Sequence, residues 1–313
     1  AGVDLVMQDI SRPIDEQRGA VVEVNAGPGL LMHLKPSEGK PRPIGQAIVD
    51  HLFKPEDTGR IPIVGITGTH GKTTIARLVA RIIDLSGKHV GLACGDGLHL
   101  GHRLVEKGNR ANWSAAHRIL LNRAVEAAVF ENGSVSILSE GLTYDRCHVG
   151  VVANIDPDDS LPEYYIDNAE QMATKVKRTQ VDVVLPDGVA VLNAEDPLVA
   201  DMAGLCDGDV IFFAVSSNAP VLLEHLKQGK RGVFVRNGEV IQASGTQEVR
   251  VSTVTEIPIT GGGAVAFQIG NVLAAVAATW ALGISSDLIR AGIELFGTEQ
   301  AEEQGKKRKT FAA

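Results

Sequence analysis

From residue 61 onward, short apolar runs alternate with longer stretches whose apolar positions recur at helical spacing. Residues 61–66 read as a strand, interrupted only by Pro62 and Gly65, and 73–86 read as the amphipathic helix that follows. The next strand, 89–93, runs into a hairpin-like stretch around Asp96-Gly97. Helix 114–121 leads to strand 127–130, with Glu131 at its end. Strand 149–153 ends at Asn154-Ile155-Asp156, and helix 168–177 precedes strand 189–192, which ends at Asn193-Ala194-Glu195-Asp196. After strand 210–214 come three short strands, 231–236, 239–243 and 248–252, with an Asn237-Gly238 turn between the first two. Helices 271–282 and 286–295 close the pattern. This alternation predicts an α/β fold, a parallel sheet flanked by helices on both faces. In such sheets ligands sit beyond the carboxyl ends of the strands. Residues 68–74, Glu131, 154–159 and 193–196 all fall at such ends.

Residues 1–53 form a separate pattern. Strands 3–7 and 20–24 flank a turn at 12–19, residues 25–29 break the run, and 43–53 read as a helix. The segment 54–60, rich in charge with Pro55 and Gly59, marks a linker before the larger domain at 61–296. From 297 to 313 the chain turns polar and is expected to be disordered. The chain opens on Ala1 within a predicted strand, as a piece of a longer protein would.

The chemistry centres on Val64-Gly65-Ile66-Thr67-Gly68-Thr69-His70-Gly71-Lys72-Thr73-Thr74. A strand, a glycine-rich turn, Lys-Thr-Thr and a helix in that order make a P-loop-type cradle for the phosphates of ATP. The glycines let backbone N–H groups converge, the helix N-terminus adds its dipole, Lys72 adds a point charge and the Thr73 hydroxyl can hold Mg²⁺. Residues Gly68, Thr69, His70, Gly71, Lys72, Thr73 and Thr74 are therefore expected to bind ATP. Glu131 either completes the Mg²⁺ shell with Thr73 and serves the chemistry beside Lys72, or is an ordinary solvent-facing residue at a strand end. The general phosphate-loop pattern also wants glycine five residues before the Gly-Lys pair, where this chain has Ile66.

Composition narrows the setting. Of 313 residues, 44% are apolar and 22% charged, as in an ordinary soluble globular chain of two domains. A net charge of −8 argues against broad nucleic-acid binding, and the basic run at 306–309 reads as a solvated tail. Cys94, Cys147 and Cys206 are widely spaced, forming no disulfide or metal pattern, which fits a reducing cytosol. His99-x-x-His102 has no partner cluster and reads as surface histidines. No apolar stretch reaches membrane-spanning length.

A second constellation lies in the first segment. Asp4 sits on one strand, while Glu23 and Asn25 flank Val24 on the next and face the same side. These three can converge on one hard cation, and Ala26-Gly27-Pro28-Gly29 follows them. That run resembles the end of an ATP-grasp fold, in which Asp and Glu-x-Asn hold the magnesium ions of ATP. The spacing Gly65-x-x-Gly68-x-x-Gly71-Lys72-Thr73 in turn is similar to that of the ATP-dependent amide ligases related to the muramyl ligases. An ATP-grasp end followed by a muramyl-ligase-like central domain resembles the cyanophycin synthetases. The residues that carry the likeness are 23–34, 40–45 and 59–69, then Asp96-Gly97, 105–108, Trp113-Ser114, 126–129, 140–142, 145–152, 191–199 and 271–278.

The resemblance implies a ligase that builds a polymer of aspartate backbone and arginine side chains. Each carboxylate would be phosphorylated by ATP with Mg²⁺ before an amine attacks the acyl phosphate. It adds Asp196 and Asn271 as ATP contacts. It implies ATP, aspartate, arginine or an aspartate-arginine dipeptide and the growing cyanophycin chain as partners, in a cytoplasmic homo-oligomer. A free-standing folylpolyglutamate-like or muramyl ligase fits less well, given residues 1–53.

The chain departs from the family near the site. His70 stands where the family has Asn, and Ala93-Cys94-Gly95 replaces a threonine-rich stretch. Asn132-Gly133-Ser134-Val135-Ser136 replaces a stretch with an arginine. Asp159 stands near the place of an expected histidine, where it can still bind a hard cation. The family continues into a third domain that closes over ATP. Two readings stay open: a fragment of a complete enzyme, or a shortened synthetase in which this module is structural and only the ATP-grasp site joins dipeptides. The clustered polar losses favour the second.

Overall fold

The computed structural model describes residues 1–297, and the chain divides into two units, residues 1–60 and those from Ile61 on. The tail expected to be disordered, with its basic run, lies outside the described residues apart from Gly297.

In the first unit, β1 (Gly2–Val6) pairs antiparallel with β2 (Ala20–Asn25), each within a residue or so of its predicted bounds. The connection is more than a turn. It contains a short 3₁₀ segment, Ile14–Glu16, held by the Gln17 amide, which donates to the carbonyls of Asp9, Arg12 and Pro13. A short helix, Leu31–Leu34, precedes the expected one, found at Ile44–Leu52.

The second unit is one eleven-stranded sheet. Its strands are β3 (Ile63–Thr67), β4 (Val90–Cys94), β5 (Gly97–Leu100), β6 (Arg103–Lys107), β7 (Ala127–Glu131), β8 (Cys147–Val152), β9 (Val184–Asn193), β10 (Asp209–Ser216), β11 (Arg231–Arg236), β12 (Glu239–Ser244) and β13 (Gln247–Thr253). In space they run β13-β12-β11-β10-β9-β8-β3-β7-β4-β5-β6. The middle of the sheet, from β11 to β4, is parallel, and an antiparallel hairpin finishes each edge. The sheet is thus parallel through its middle and antiparallel at its margins, where the sequence carries the hairpin-like stretch at Asp96-Gly97 and the Asn237-Gly238 turn.

Every residue of β3 is buried, as befits a central parallel strand covered on both faces. Alternation sends Ile63 to one core, with the helix Trp113–Leu120, and Val64 and Ile66 to the other. That second core is roofed by the helices Lys72–Leu85, Ala266–Ala281 and Ser286–Leu295. Gly292 lets the last of these approach closely: a Cβ there would lie 2.4 Å from Ile82 Cγ1.

Three elements differ from the sequence pattern for local reasons. The helix expected at 271–282 begins five residues earlier, at Ala266, just after glycines 261–263 with positive φ. Asn271 therefore lies inside the helix, its amide donating to Gln268 Oε1 at 3.0 Å. The helix expected at 168–177 is one turn, Ala169–Gln171, capped by Asn168, and then a π-helical turn, Met172–Lys177. The wider turn carries Lys177, which is completely buried. Strand β9 starts five residues before 189, and residues 185–188 bulge out because Cys147 pairs with Val184 but Val149 with Val189. Pro186 and Gly188 sit in that bulge, where the ladder needs neither an N–H nor a side chain.

Candidate nucleotide site

Chain order places β4 and β7 on one side of β3 and β8 to β10 on the other. The loop after β3 therefore emerges where strand order reverses, the usual ligand position of a doubly wound sheet. Gly65 is required within the strand: a Cβ would lie 2.0 Å from the Tyr144 hydroxyl and 2.5 Å from the Gln180 amide. Gly71, at φ +80°, starts the helix Lys72–Leu85, and a Cβ there would meet Asn271 Oδ1 at 2.0 Å. No side chain caps this helix, and Gly71 and Thr74 at its start line the cavity described below. The Lys72 ammonium folds back over the loop, donating to the carbonyls of Gly68 and Thr69 at 3.0 Å each.

The loop is held from β8. Asn154 Oδ1 accepts from the backbone N–H of Thr69 at 3.0 Å and of His70 at 2.9 Å, while its amide donates to His70 O. The His70 ring lies 2.7 Å from Asp156 Oδ2 near the surface. Below, the Thr69 hydroxyl donates to Asp159 Oδ2 at 2.5 Å and accepts from Asp156 N–H and from Lys177 Nζ. Lys177 Nζ is also 2.8 Å from Asp159 Oδ2. Burial works to raise the Asp159 carboxyl, but the Lys177 and Thr69 hydrogen bonds outweigh it and hold the group below its usual range. Burial pulls the Lys177 ammonium down against the pull of Asp159. Asp159, expected to face a cation, thus faces an ammonium of the protein itself.

Across the loop, Glu131 Oε2 accepts from the Thr73 hydroxyl at 2.8 Å and from the Gly95 N–H at 2.6 Å. Glu131 is 8% exposed, so it is not a solvent-facing residue at a strand end. The pair fits Mg²⁺: both donors are oxygens, and neighbouring ligands of an octahedron with bonds of about 2.1 Å stand about 3.0 Å apart. Gly95 makes room for the pair, since a Cβ there would lie 2.9 Å from Thr73 Oγ1.

Beside the loop opens a cavity of about 650 Å³, lined by His70, Gly71, Thr74, Asn193, Phe213 and Asn271 among others. That volume is in the range of small-molecule sites, about 300–1,000 Å³. Asn271 lies on this wall, 5% exposed. Asp196 does not reach it through a free carboxylate. Its oxygens accept from the N–H groups of Ile155 (2.7 Å), Leu198 (3.1 Å) and Val199 (3.3 Å), so it ties the end of β8 to the helix Pro197–Ala200. In the first unit, Asp4 and Glu23 are register partners across the hairpin, and Asn25 follows two residues on. All three are found on one face of β1 and β2.

Sequence reading placed Asn154 at a ligand-facing strand end without giving it a role, and missed Lys177. Lys177 had no signal, because it lies at the end of the π-helical segment Met172–Lys177. The altered stretch after Glu131 has its own work. Asn132 donates to the Tyr144 hydroxyl and to Gln180 Oε1, both at 2.7 Å, closing a polar network under β3. The β4–β5 turn also differs from the sequence reading: His99 joins Cys94 and Asp96 in a cluster, whereas it was expected at the surface without partners.

Residues 66–279 match the Mur ligase middle domain, and the chain belongs to that family. Its fold agrees: a solved UDP-N-acetylmuramoyl-L-alanyl-D-glutamate--2,6-diaminopimelate ligase superposes with a TM-score of 0.55 at 18% identity, over 75% of this chain and 46% of that one. A MurF structure from Acinetobacter baumannii superposes with a TM-score of 0.51 at 19% identity, over 75% and 45%. More particularly, over 98% of its length the chain is 42% identical to the cyanophycin synthetase of a Synechocystis species and 41% identical to that of Geminocystis herdmanii. The likeness expected from the sequence therefore holds along nearly the whole chain. The chain spans about a third of those relatives, 35% of each. It is also 29% identical to a UDP-N-acetylmuramoyl-L-alanyl-D-glutamate--2,6-diaminopimelate ligase of Geobacter sulfurreducens, over 78% of this chain and 46% of that one. No helix among the described residues is long and apolar enough to cross a membrane.

Proposed function

We propose that this chain is the nucleotide-binding part of an ATP-dependent amide ligase of cyanophycin synthesis. The observation that carries the reading is the convergence of Lys72, Thr73 and Glu131 on one loop at the carboxyl end of the central strand. The N–H groups opening the helix Lys72–Leu85 receive phosphate oxygens, and Lys72 turns from the loop carbonyls to the phosphates. Thr73 and Glu131 hold Mg²⁺, which when bound offsets charge on the transferring phosphoryl group. The purine and ribose lie in the cavity walled by Phe213, Asn193 and Asn271. A carboxylate is a poor electrophile, and conversion to an acyl phosphate supplies the leaving group for an attacking amine; the protein chiefly positions the charges. In the same proposal residues 1–53 close an ATP-grasp domain, with Asp4, Glu23 and Asn25 as its cation ligands. The substrates are aspartate, arginine or their dipeptide, and the growing chain.

Titration calorimetry with Mg²⁺-ATP tests this, with Lys72→Ala as the control. Binding that the substitution abolishes supports the proposal; binding it leaves unchanged, or no binding, overturns it. A second reading rests on the Asp159–Lys177 pair. Here the module keeps the family's loop as structure, while the ATP-grasp site alone joins aspartate-arginine dipeptides. Full-length protein that polymerises dipeptides but not free aspartate plus arginine would favour that second reading.

A further inference from the structure

We propose that the turn between β4 and β5 is a site for a zinc-class divalent ion, held by Cys94 Sγ, Asp96 Oδ1 and His99 Nε2. Within the described residues these are the three donor groups that lie within 4.8 Å of one another. Cys94 Sγ is 2.9 Å from Asp96 Oδ1, and His99 Nε2 is 3.5 Å from the same oxygen. Ligands of one tetrahedral zinc, with bonds of about 2.0–2.3 Å, stand about 3.3–3.6 Å apart. The His99–Asp96 separation already has that value, and the Cys94–Asp96 contact needs to open by about half an ångström.

Two further observations point to an ion. His99 Nε2 is buried and has no hydrogen-bond partner among the described residues, a costly state for a ring nitrogen that coordination would resolve. Arg77 Nη1 holds the other carboxylate oxygen, Asp96 Oδ2, at 3.0 Å, which turns Oδ1 toward Cys94 and His99 as an outer partner of a metal ligand does. Sulfur with imidazole selects zinc-class ions over Mg²⁺, so this site and the Thr73–Glu131 pair would not compete for one metal. On binding, the Cys94 thiol proton leaves to solvent and the sulfur coordinates as thiolate. Three protein ligands, with Asp96 partly exposed, leave the fourth position to water. Gly95, inside the turn, donates to Glu131, so an ion here would stiffen one wall of the nucleotide site.

Cobalt(II) added to metal-stripped protein is the direct probe. The expected result is one equivalent bound, with a sulfur-to-cobalt charge-transfer band displaced by zinc. Cys94→Ser should abolish the band, while Cys206→Ser should keep it. Because Cys94 is fully buried, His99→Ala is the second variant. It should weaken cobalt binding by more than about tenfold, the cost of disturbing even a ligand's outer partner. Circular dichroism should show both variants folded. No thiolate band in the unsubstituted protein, or a band that survives Cys94→Ser or is unmoved by His99→Ala, overturns the proposal.

Discussion

Lys177 and Asp159 form an ion pair of 2.8 Å in which the lysine side chain has no exposed surface and the aspartate 14%. Removing one partner leaves the other charge buried alone, at a cost of about 3–5 kcal/mol, whereas replacing both by apolar groups is often neutral. Lys177→Met should therefore lower the urea midpoint sharply, and Lys177→Met with Asp159→Leu should recover much of it. Equal loss in the single and double variants would show that the pair is not the cause.

Glu131→Gln preserves an acceptor for Thr73 and Gly95 but removes the charge. The fold should persist, and the dependence of ATP binding on Mg²⁺ should weaken. Calorimetry at several Mg²⁺ concentrations reads this out; an unchanged magnesium dependence places the ion elsewhere.

Gly65→Ala drives a methyl group against Tyr144 and Gln180. Overpacking of this kind costs about 1–3 kcal/mol. Tyr144→Phe, by removing the hydroxyl at 2.0 Å from that methyl position, should recover part of the loss in thermal stability. A double variant no more stable than Gly65→Ala would point to backbone strain instead.

His225 is buried, lies 3.0 Å from the carbonyl of Val210 through Nε2 and packs edge-on against Phe212 with centroids 4.8 Å apart. Burial holds its pKa below the usual 6.5. The unfolded chain thus takes up a proton before the folded one does. The stability His225 contributes is complete above 6.5 and is lost as the pH falls through that value toward the lower folded one. Melting temperatures from neutral pH down to about pH 5 should show this slope, and His225→Gln should flatten it. An identical slope in the variant assigns it to other groups.

Much of this was legible in the chain. The loop from Gly65 to Thr74 announces itself because glycine, lysine and threonine have few other reasons to stand in that order between a strand and a helix. Helix 286–295 carries its own boundary in Ser285, whose hydroxyl accepts from Leu288 N–H. What escaped depends on pairing at a distance. The fate of Asp196 follows from where Ile155 ends up, and that of Lys177 from a turn one residue too wide for the usual helix. His99 looked solitary because its partners reach it through a register, Cys94 opposite Gly97, that periodicity does not specify.

Asn154 carries one last consequence. By accepting from the N–H groups of Thr69 and His70, it fixes the loop between β3 and the helix Lys72–Leu85. The ordering cost of the loop is met once, during folding, and is not deducted from each binding event. Under the proposed function, an anion arriving at Gly71 would meet a loop already held in shape, with the Lys72 ammonium left to turn toward it, so its encounter would resemble a key entering a lock more than a hand shaping a glove.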